Sequence, residues 1–266
     1  MKTLQRLLPF ITLIVLIVAL SIATPHFLTA TNLSSVVRQT AVFNIMALGM
    51  TLIIISSGVD LSVGSILAMG GLMGTMAMSK GQPILVGVLV GILTGGLFGL
   101  INGVAITRLN ISPFIVTLGT MGIVRGLALV VSNGLPVHEI PKAFSFLGEG
   151  TVLGVPFVLL LLVVCAVLVH FLLENTRLGR YTFAIGSNQD AAIYAGIPVK
   201  FHTTAIYAIG GLLTGLAGMI EASRLMTGQP TAGQPQEDHR RWRGDWPRLS
   251  RGIVPRARSS GICRRA

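Results

Sequence analysis

The chain has 266 residues, 52% of them hydrophobic and 11% charged, with a mean hydropathy of +0.78. So little polar surface cannot cover a water-soluble globule, and a membrane protein is the expectation. The formal net charge of +11 does not point to nucleic acid, because nine of the 20 basic residues, all arginine, follow Gln234, and the body carries no interleaved basic and aromatic patch.

A membrane-crossing helix needs about 20 mostly apolar residues. Runs of this kind, bounded by polar residues, proline or glycine, fall at 7–24, 39–56, 61–79, 83–106, 113–131, 154–173 and 202–224. The first follows Lys2 and Arg6 as a signal peptide would. Its apolar run is longer than a usual signal core and lacks a small-x-small cleavage site, so it is read as an uncleaved span. A cytoplasmic amino terminus places Lys2, Arg6, Arg108, Arg177, Arg180 and Lys200 inside and Arg38, Lys80 and Lys142 outside, the orientation favoured by the positive-inside rule. Residues 132–153 then form a long outer loop and residues 174–200 a cytoplasmic one, the two largest polar segments of the body. The spans are rich in small residues, as in "MGGLMGT" (69–75), "GILTGGLFGLINGV" (91–104) and "GGLLTGLAG" (210–218). Such spacing lets helices pack backbone to backbone. The expected fold class is an all-α membrane protein, a polytopic helical bundle.

Enzyme signatures are absent from the sequence. A phosphate-cradling loop ends in Gly-Lys-Ser/Thr, but Lys80, Lys142 and Lys200 are followed by Gly, Ala and Phe, and Lys2 has no loop before it. The histidines at 26, 138, 170, 202 and 239 are scattered, so neither a metal site nor a nucleophile–base pair is expected. Cys165 lies in an apolar run and Cys263 near the end, which suggests no disulfide framework.

Two segments stand out. In "SSGVDLSVGS" (56–65) an acid lies between two apolar spans, and a charge at membrane depth must face water or a partner. Asp60 is therefore a functional candidate, or else the N-cap that receives the amides of the next span. In "NTRLGRYTFAIGSNQDAAIYAGIPVKFH" (175–202) a short helix is expected to open at Asn188 and stop at Gly196. It suits either the groove of a soluble partner or a resting place on the membrane surface. The polar positions Asn44, Asp60, Ser62, Asn102 and Thr117, within or beside apolar spans, are the candidates for lining a pathway. Arg125 and Glu221 are expected to be internal partners or to lie near the headgroups.

Four stretches, "GMTLIIISSGVDLSVGSILAMGG", "ISPFIVTLGTMGIVRGLALVVSNGLPV", "TRLGRYTFAIGSNQDAAIYAGIPV" and "GGLLTGLAGMIEASRLMTGQPTAG", occur in order. Together they resemble the permease subunit of bacterial ribose-type ABC sugar importers, over nearly all of residues 1–234. The resemblance implies a permease domain over 1–234 in the bacterial inner membrane, with about ten spans related by internal pseudo-symmetry, of which about seven are present here. It implies that two permease copies form the pathway for a ribose-like monosaccharide. It also implies a cytoplasmic ATP-binding subunit that hydrolyses the ATP, an extracytoplasmic sugar-binding protein, and no cofactor in this chain. Gly179, Arg180, Gly186, Asn188, Ala191, Ala192 and Gly196 fall in the segment matching the one by which such permeases engage the ATPase. Two other classes stay open from the residues: a non-transporting membrane scaffold or sensor, and an ion-coupled carrier, for which Asp60 is thin support.

After "QPTAG" the family pattern continues with a segment like YELDAIAAVVIGG, whereas this chain turns to "QPQEDHRRWRGDWPRLSRG". His239-Arg240-Arg241 written CAT CGC CGC and displaced by one base reads Ile-Ala-Ala, and Gly244-Asp245-Trp246 written GGT GAT TGG reads Val-Ile-Gly. Both fragments belong to the expected segment, in order, although one residue further apart. Residues 235–266 are therefore expected to be an out-of-frame, disordered tail and this 266-residue form to be inactive, the alternative being a polybasic tail for anionic lipid.

Overall fold

The computed structural model describes residues 2–233, with side chains from Phe10 onward. The arginine-rich segment 235–266, including the expected frame change, lies outside the described residues. The helices are α1 (Lys2–Ala23), α2 (Ala30–Ile55), α3 (Val63–Ser79), α4 (Ile84–Leu109), α5 (Pro113–Val131), α6 (Phe146–Glu149), α7 (Phe157–Asn175), α8 (Arg177–Ser187), α9 (Gln189–Tyr194) and α10 (Val199–Leu225). Each of the seven expected apolar runs falls on one of these helices. By length and composition α2, α4, α5, α7 and α10 can each cross a membrane, while α3 and the Phe10–Ala23 part of α1 are shorter apolar helices.

Most boundaries shift by a few residues from the sequence expectation, and those of α2 and α3 bear on the site. Helix α2 opens at Ala30 rather than 39, because its first turns are too polar to register as a span. Thr29 nevertheless caps it, accepting the Asn32 amide at 3.3 Å. Helix α3 opens at Val63 rather than 61, and its 17 residues rise only about 26 Å, short of a bilayer core. The segment 56–62 that precedes it is not helical. It starts with a Schellman stop: Ser57 has φ 59°, its amide bonds Ile54 O at 2.9 Å, and the Gly58 amide bonds Ile53 O at 2.9 Å.

Helix α10 is the axis of the bundle, packed against α2, α3 and α4. Its antiparallel partner α4 presents Gly91, Gly95, Gly99 and Gly103, one per turn, so that the Met219 side chain fits over Gly91 and the backbones meet directly at the other three. A Cβ at Gly95 would lie 2.7 Å from the Gly215 Cα, and one at Gly103 the same distance from the Thr204 Cα. The Gly95→Leu variant is expected to lose most of its folded, detergent-extractable protein, since overpacking against backbone costs about 1–3 kcal/mol or more. Fluorescence-detected size exclusion beside Leu93→Ala, whose side chain is exposed, measures this. Equal monodisperse yields from the two would contradict the close-packing account.

Large apolar side chains turn outward instead. Leu85 and Leu93 of α4, Ile115 and Ile123 of α5, and Val167 and Leu168 of α7 are all exposed. That distribution suits a hydrocarbon surround, in which small and polar groups belong inside. The loop after α5 carries a 3-10 turn (Lys142–Ser145), α6 and a two-stranded hairpin, β1 (Thr151–Val152) with β2 (Val155–Pro156). It is seated on the end of α10, where the Ser223 hydroxyl donates to Phe144 O (2.6 Å) and accepts the Gly148 amide (2.8 Å).

Beyond α10 the chain folds back. Gly228 exchanges two backbone hydrogen bonds with Val137, and the segment then runs along α3 from Leu72 to Gly64, which lies beside Gly233. Arg125 of α5 holds it from the side, one guanidinium nitrogen donating to Pro230 O (2.7 Å) and Ala232 O (2.9 Å). Glu221 pairs instead with Arg224 at 2.9 Å, the one ion pair among the described residues. Arg125 and Glu221 are thus internal partners, but of different groups.

Candidate pathway and coupling sites

Asp60 and Ser62, at the break between α2 and α3, are both buried. The Ser62 amide and hydroxyl both donate to Asp60 Oδ1, at 2.8 and 2.5 Å, and Asn102 Nδ2 of α4 donates to Ser62 Oγ at 2.9 Å. Ser62 itself occupies the N-cap position of α3 and makes no side-chain cap bond. Asp60 therefore does not cap α3 as the simpler sequence reading had it. It lies two residues too early and closes an Asx turn ahead of the helix.

The turn is held at Val59 O by a bond from Tyr207, with Thr117 close by on another side. Tyr207 of α10, fully buried, donates its hydroxyl at 3.0 Å, and Thr117 of α5 lies 3.5 Å away while donating to Pro113 O at 2.8 Å. A Cβ at Gly58 would come within 2.7 Å of the Tyr207 hydroxyl, so glycine is what lets the ring approach. Three helices, α4, α5 and α10, thus converge on the short stretch of backbone between α2 and α3. Asp60, Ser62, Asn102 and Thr117 are brought together, and Asn44 is not: it lies exposed on α2. Asp60 has no cationic partner among the described residues. Asn102 Oδ1 is buried and unpaired, a costly arrangement in an apolar interior. Tyr207 was missed in the sequence. Its signal was there, as a phenol within an apolar span must find a buried acceptor.

The coupling candidates form a helical hairpin at the end of the bundle where α2 stops. Thr176 caps α8, accepting the Gly179 amide at 3.3 Å, and Asn188 caps α9, accepting the Ala191 amide at 2.9 Å. Gly196, at φ 78°, closes α9 as the sequence indicated. Gly179 packs on the carbonyls of Leu172 and Leu173, and Gly186 on Ile55 O. Ser57 then donates its hydroxyl to Gly186 O at 3.0 Å. Ala192 is buried with Ile185 and Val199, holding α8, α9 and the start of α10 together. Arg180, Asn188 and Ala191 are exposed, beside Phe183, Ile193 and Tyr194. The small residues Gly179, Gly186 and Ala192 therefore serve contacts within the chain, whereas the outward face belongs to Arg180, Asn188 and Ala191.

Residues 32–237 match the family described as the permease component of branched-chain amino acid transport systems. The chain belongs to this permease family. It is 42% identical over 236 residues to the ribose import permease of Bacillus subtilis (strain 168), covering 88% of this chain and 73% of that one. It is 39% identical to the ribose import permease of Escherichia coli (strain K12), covering 85% and 72%, and 38% identical to the L-arabinose transport system permease of that strain, covering 81% and 66%. No solved structure matches. The resemblance to ribose-type permeases noted in the motifs is thereby borne out, and the permease is a multi-pass helical membrane protein.

Proposed function

We propose that this permease is the membrane subunit of an ATP-driven importer and forms the route of a ribose-like monosaccharide across the bacterial inner membrane, with its amino terminus in the cytoplasm. The similarity to ribose, allose and arabinose permeases supports the sugar. One observation carries the mechanism: Ser57 ties Gly186 of the α8–α9 hairpin to the buried turn at Asp60, three residues on. An ATP-binding subunit docked on the exposed face of that hairpin, at Arg180, Asn188 and Ala191, moves α8. The motion reaches Ser57, Val59 and Asp60 through a few residues of backbone, and the turn changes which side the pathway faces. Partners in this reading are a second permease copy, the ATP-binding subunit and an extracytoplasmic sugar-binding protein. ATP is hydrolysed by the partner, and the permease performs no chemistry of its own.

A strain deleted for the gene and complemented with a full-length version, its reading frame restored after about codon 234, is grown on a panel of pentoses and hexoses to test the substrate. Growth restored on ribose supports the proposal. Unaltered growth on every sugar contradicts it. The purified permease alone is expected to release no phosphate from ATP, and turnover above a detergent blank would contradict the division of labour.

The family match stops at residue 237, close to the change in composition. Gly233 lies beside Gly64 near the start of α3, a poor point from which to continue into Arg240, Arg241 and Arg243. Residues from about Pro235 are an out-of-frame reading in this account, and the form bearing them does not transport. The coding DNA, displaced by one base from about codon 235, is expected to read openly through a segment like ELDAIAAVVIGG. Immediate stop codons in that frame would leave the arginine tail as a genuine, lipid-seeking extension.

A further inference from the structure

At the hairpin end of the bundle the turn between α4 and α5, helix α9 and the first turns of α10 enclose an open cavity of about 960 Å³. Its walls are mostly apolar, and Val104, Ile111, Ile193 and Phe201 remain exposed on them. Arg108, in the last turn of α4, and Lys200, in the first turn of α10, both line it and are exposed, and no acidic residue is among the lining residues. Deeper in, the hydroxyls of Thr107 and Thr204 lie 3.1 Å apart. Helix α4, with 26 residues, rises about 39 Å, long enough for its last turn to reach past a hydrocarbon core of about 30 Å to the headgroup layer.

We propose that this cavity is a binding site for an anionic phospholipid, its phosphate held between Arg108 and Lys200 and the upper part of its acyl chains laid along Val104, Ile111 and Phe201. Charge complementarity singles out that occupant: two cations unopposed by any lining acid, at the depth of lipid phosphates, above an apolar wall. A free phosphate ion would have no use for the wall. The volume is at the upper end for small-molecule pockets and exceeds what one ion needs. Its inner end, at Ser57, Gly58 and Tyr207, borders the turn assigned to the pathway, but lipid binding at Arg108 and Lys200 requires only that the chain be in a membrane and does not depend on the sugar-import reading.

Native mass spectrometry of the purified 266-residue chain, titrated with phosphatidylglycerol or with phosphatidylcholine of matched chains, tests it. One phosphatidylglycerol is expected to be retained preferentially. Arg108→Gln with Lys200→Gln should weaken it about twenty-five-fold, roughly five-fold for each basic residue lost. Arg108→Lys with Lys200→Arg should keep it. Thr203→Trp, which leaves both charges in place and fills the cavity, should displace it, whereas lipid held by the arginine tail would respond to none of these changes. Equal retention of the two lipids, or retention unchanged in the Gln pair, would overturn the proposal. So would full displacement by millimolar inorganic phosphate, which would make this a site for a free anion. Should Thr203→Trp misfold, the Gln pair decides alone, because both of its side chains are exposed.

Discussion

In the frame-restored permease the Gly186→Arg variant is expected to insert normally yet lose on the order of ten-fold or more in ATP-driven uptake, because even a Cβ at this position collides with Ile55 O and overpacking of about 1–3 kcal/mol shifts α8 from its seat. The change disrupts two things at once: the close approach of α8 to the end of α2, and the Ser57 hydroxyl bond to Gly186 O. Gly186→Ala should show the same defect in weaker form. Ser57→Ala, which removes only the hydroxyl, should keep binding of the ATPase subunit and lose part of the coupling between hydrolysis and uptake. Co-purification of the ATPase subunit, measured beside uptake, separates these effects. Full uptake by Gly186→Arg would show that the hairpin does not act through α2.

Asp60→Asn in the frame-restored permease is expected to lower uptake per molecule by about ten-fold, within the range of coupling free energies of about 1–3 kcal/mol, while expression stays near that of the frame-restored parent. Asparagine keeps an oxygen where Oδ1 accepts the Ser62 amide and hydroxyl, so the Asx turn can survive the loss of charge. Asp60→Leu removes that acceptor and leaves two buried donors unpaired, at about 1–3 kcal/mol each, so expression and uptake should fall together. Transport per molecule preserved in Asp60→Asn would reduce the residue to a structural role in the turn. Asn102→Leu gives an independent reading, because it takes away the donor to Ser62 Oγ along with the unpaired carbonyl.

Much of this architecture could be read in the sequence, for identifiable reasons. The apolar runs of α4, α5, α7 and α10 are long enough that hydropathy finds them. Asn188 and Gly196 bound α9 by local chemistry that needs no tertiary information. The meeting of Asp60, Ser62 and Asn102 was legible only as three polar residues in an oily chain. Their convergence depends on α3 starting late and on α4 lying against it, which no local pattern encodes. Gly186 and Ala192 were placed in the right segment but expected to face a partner, whereas their contacts lie within the chain. Smallness in a sequence says that something comes close and does not say what. The fold-back of residues 227–233 along α3, fastened by Arg125, had no sequence signal beyond Gly228, Pro230 and Gly233, because bends and turns carry no periodicity.

The account rests on a permease that moves sugar only when a partner's ATP cycle drives the α8–α9 hairpin. Proteoliposomes holding the frame-restored permease and its ATP-binding subunit, with the sugar-binding protein outside and ATP enclosed, measure this directly through uptake of labelled ribose. Accumulation that needs all three proteins and ATP, and that is absent when the 266-residue form replaces the restored one, is the predicted result. Uptake that persists without ATP, follows an ion gradient, or is equal with the 266-residue form would contradict it.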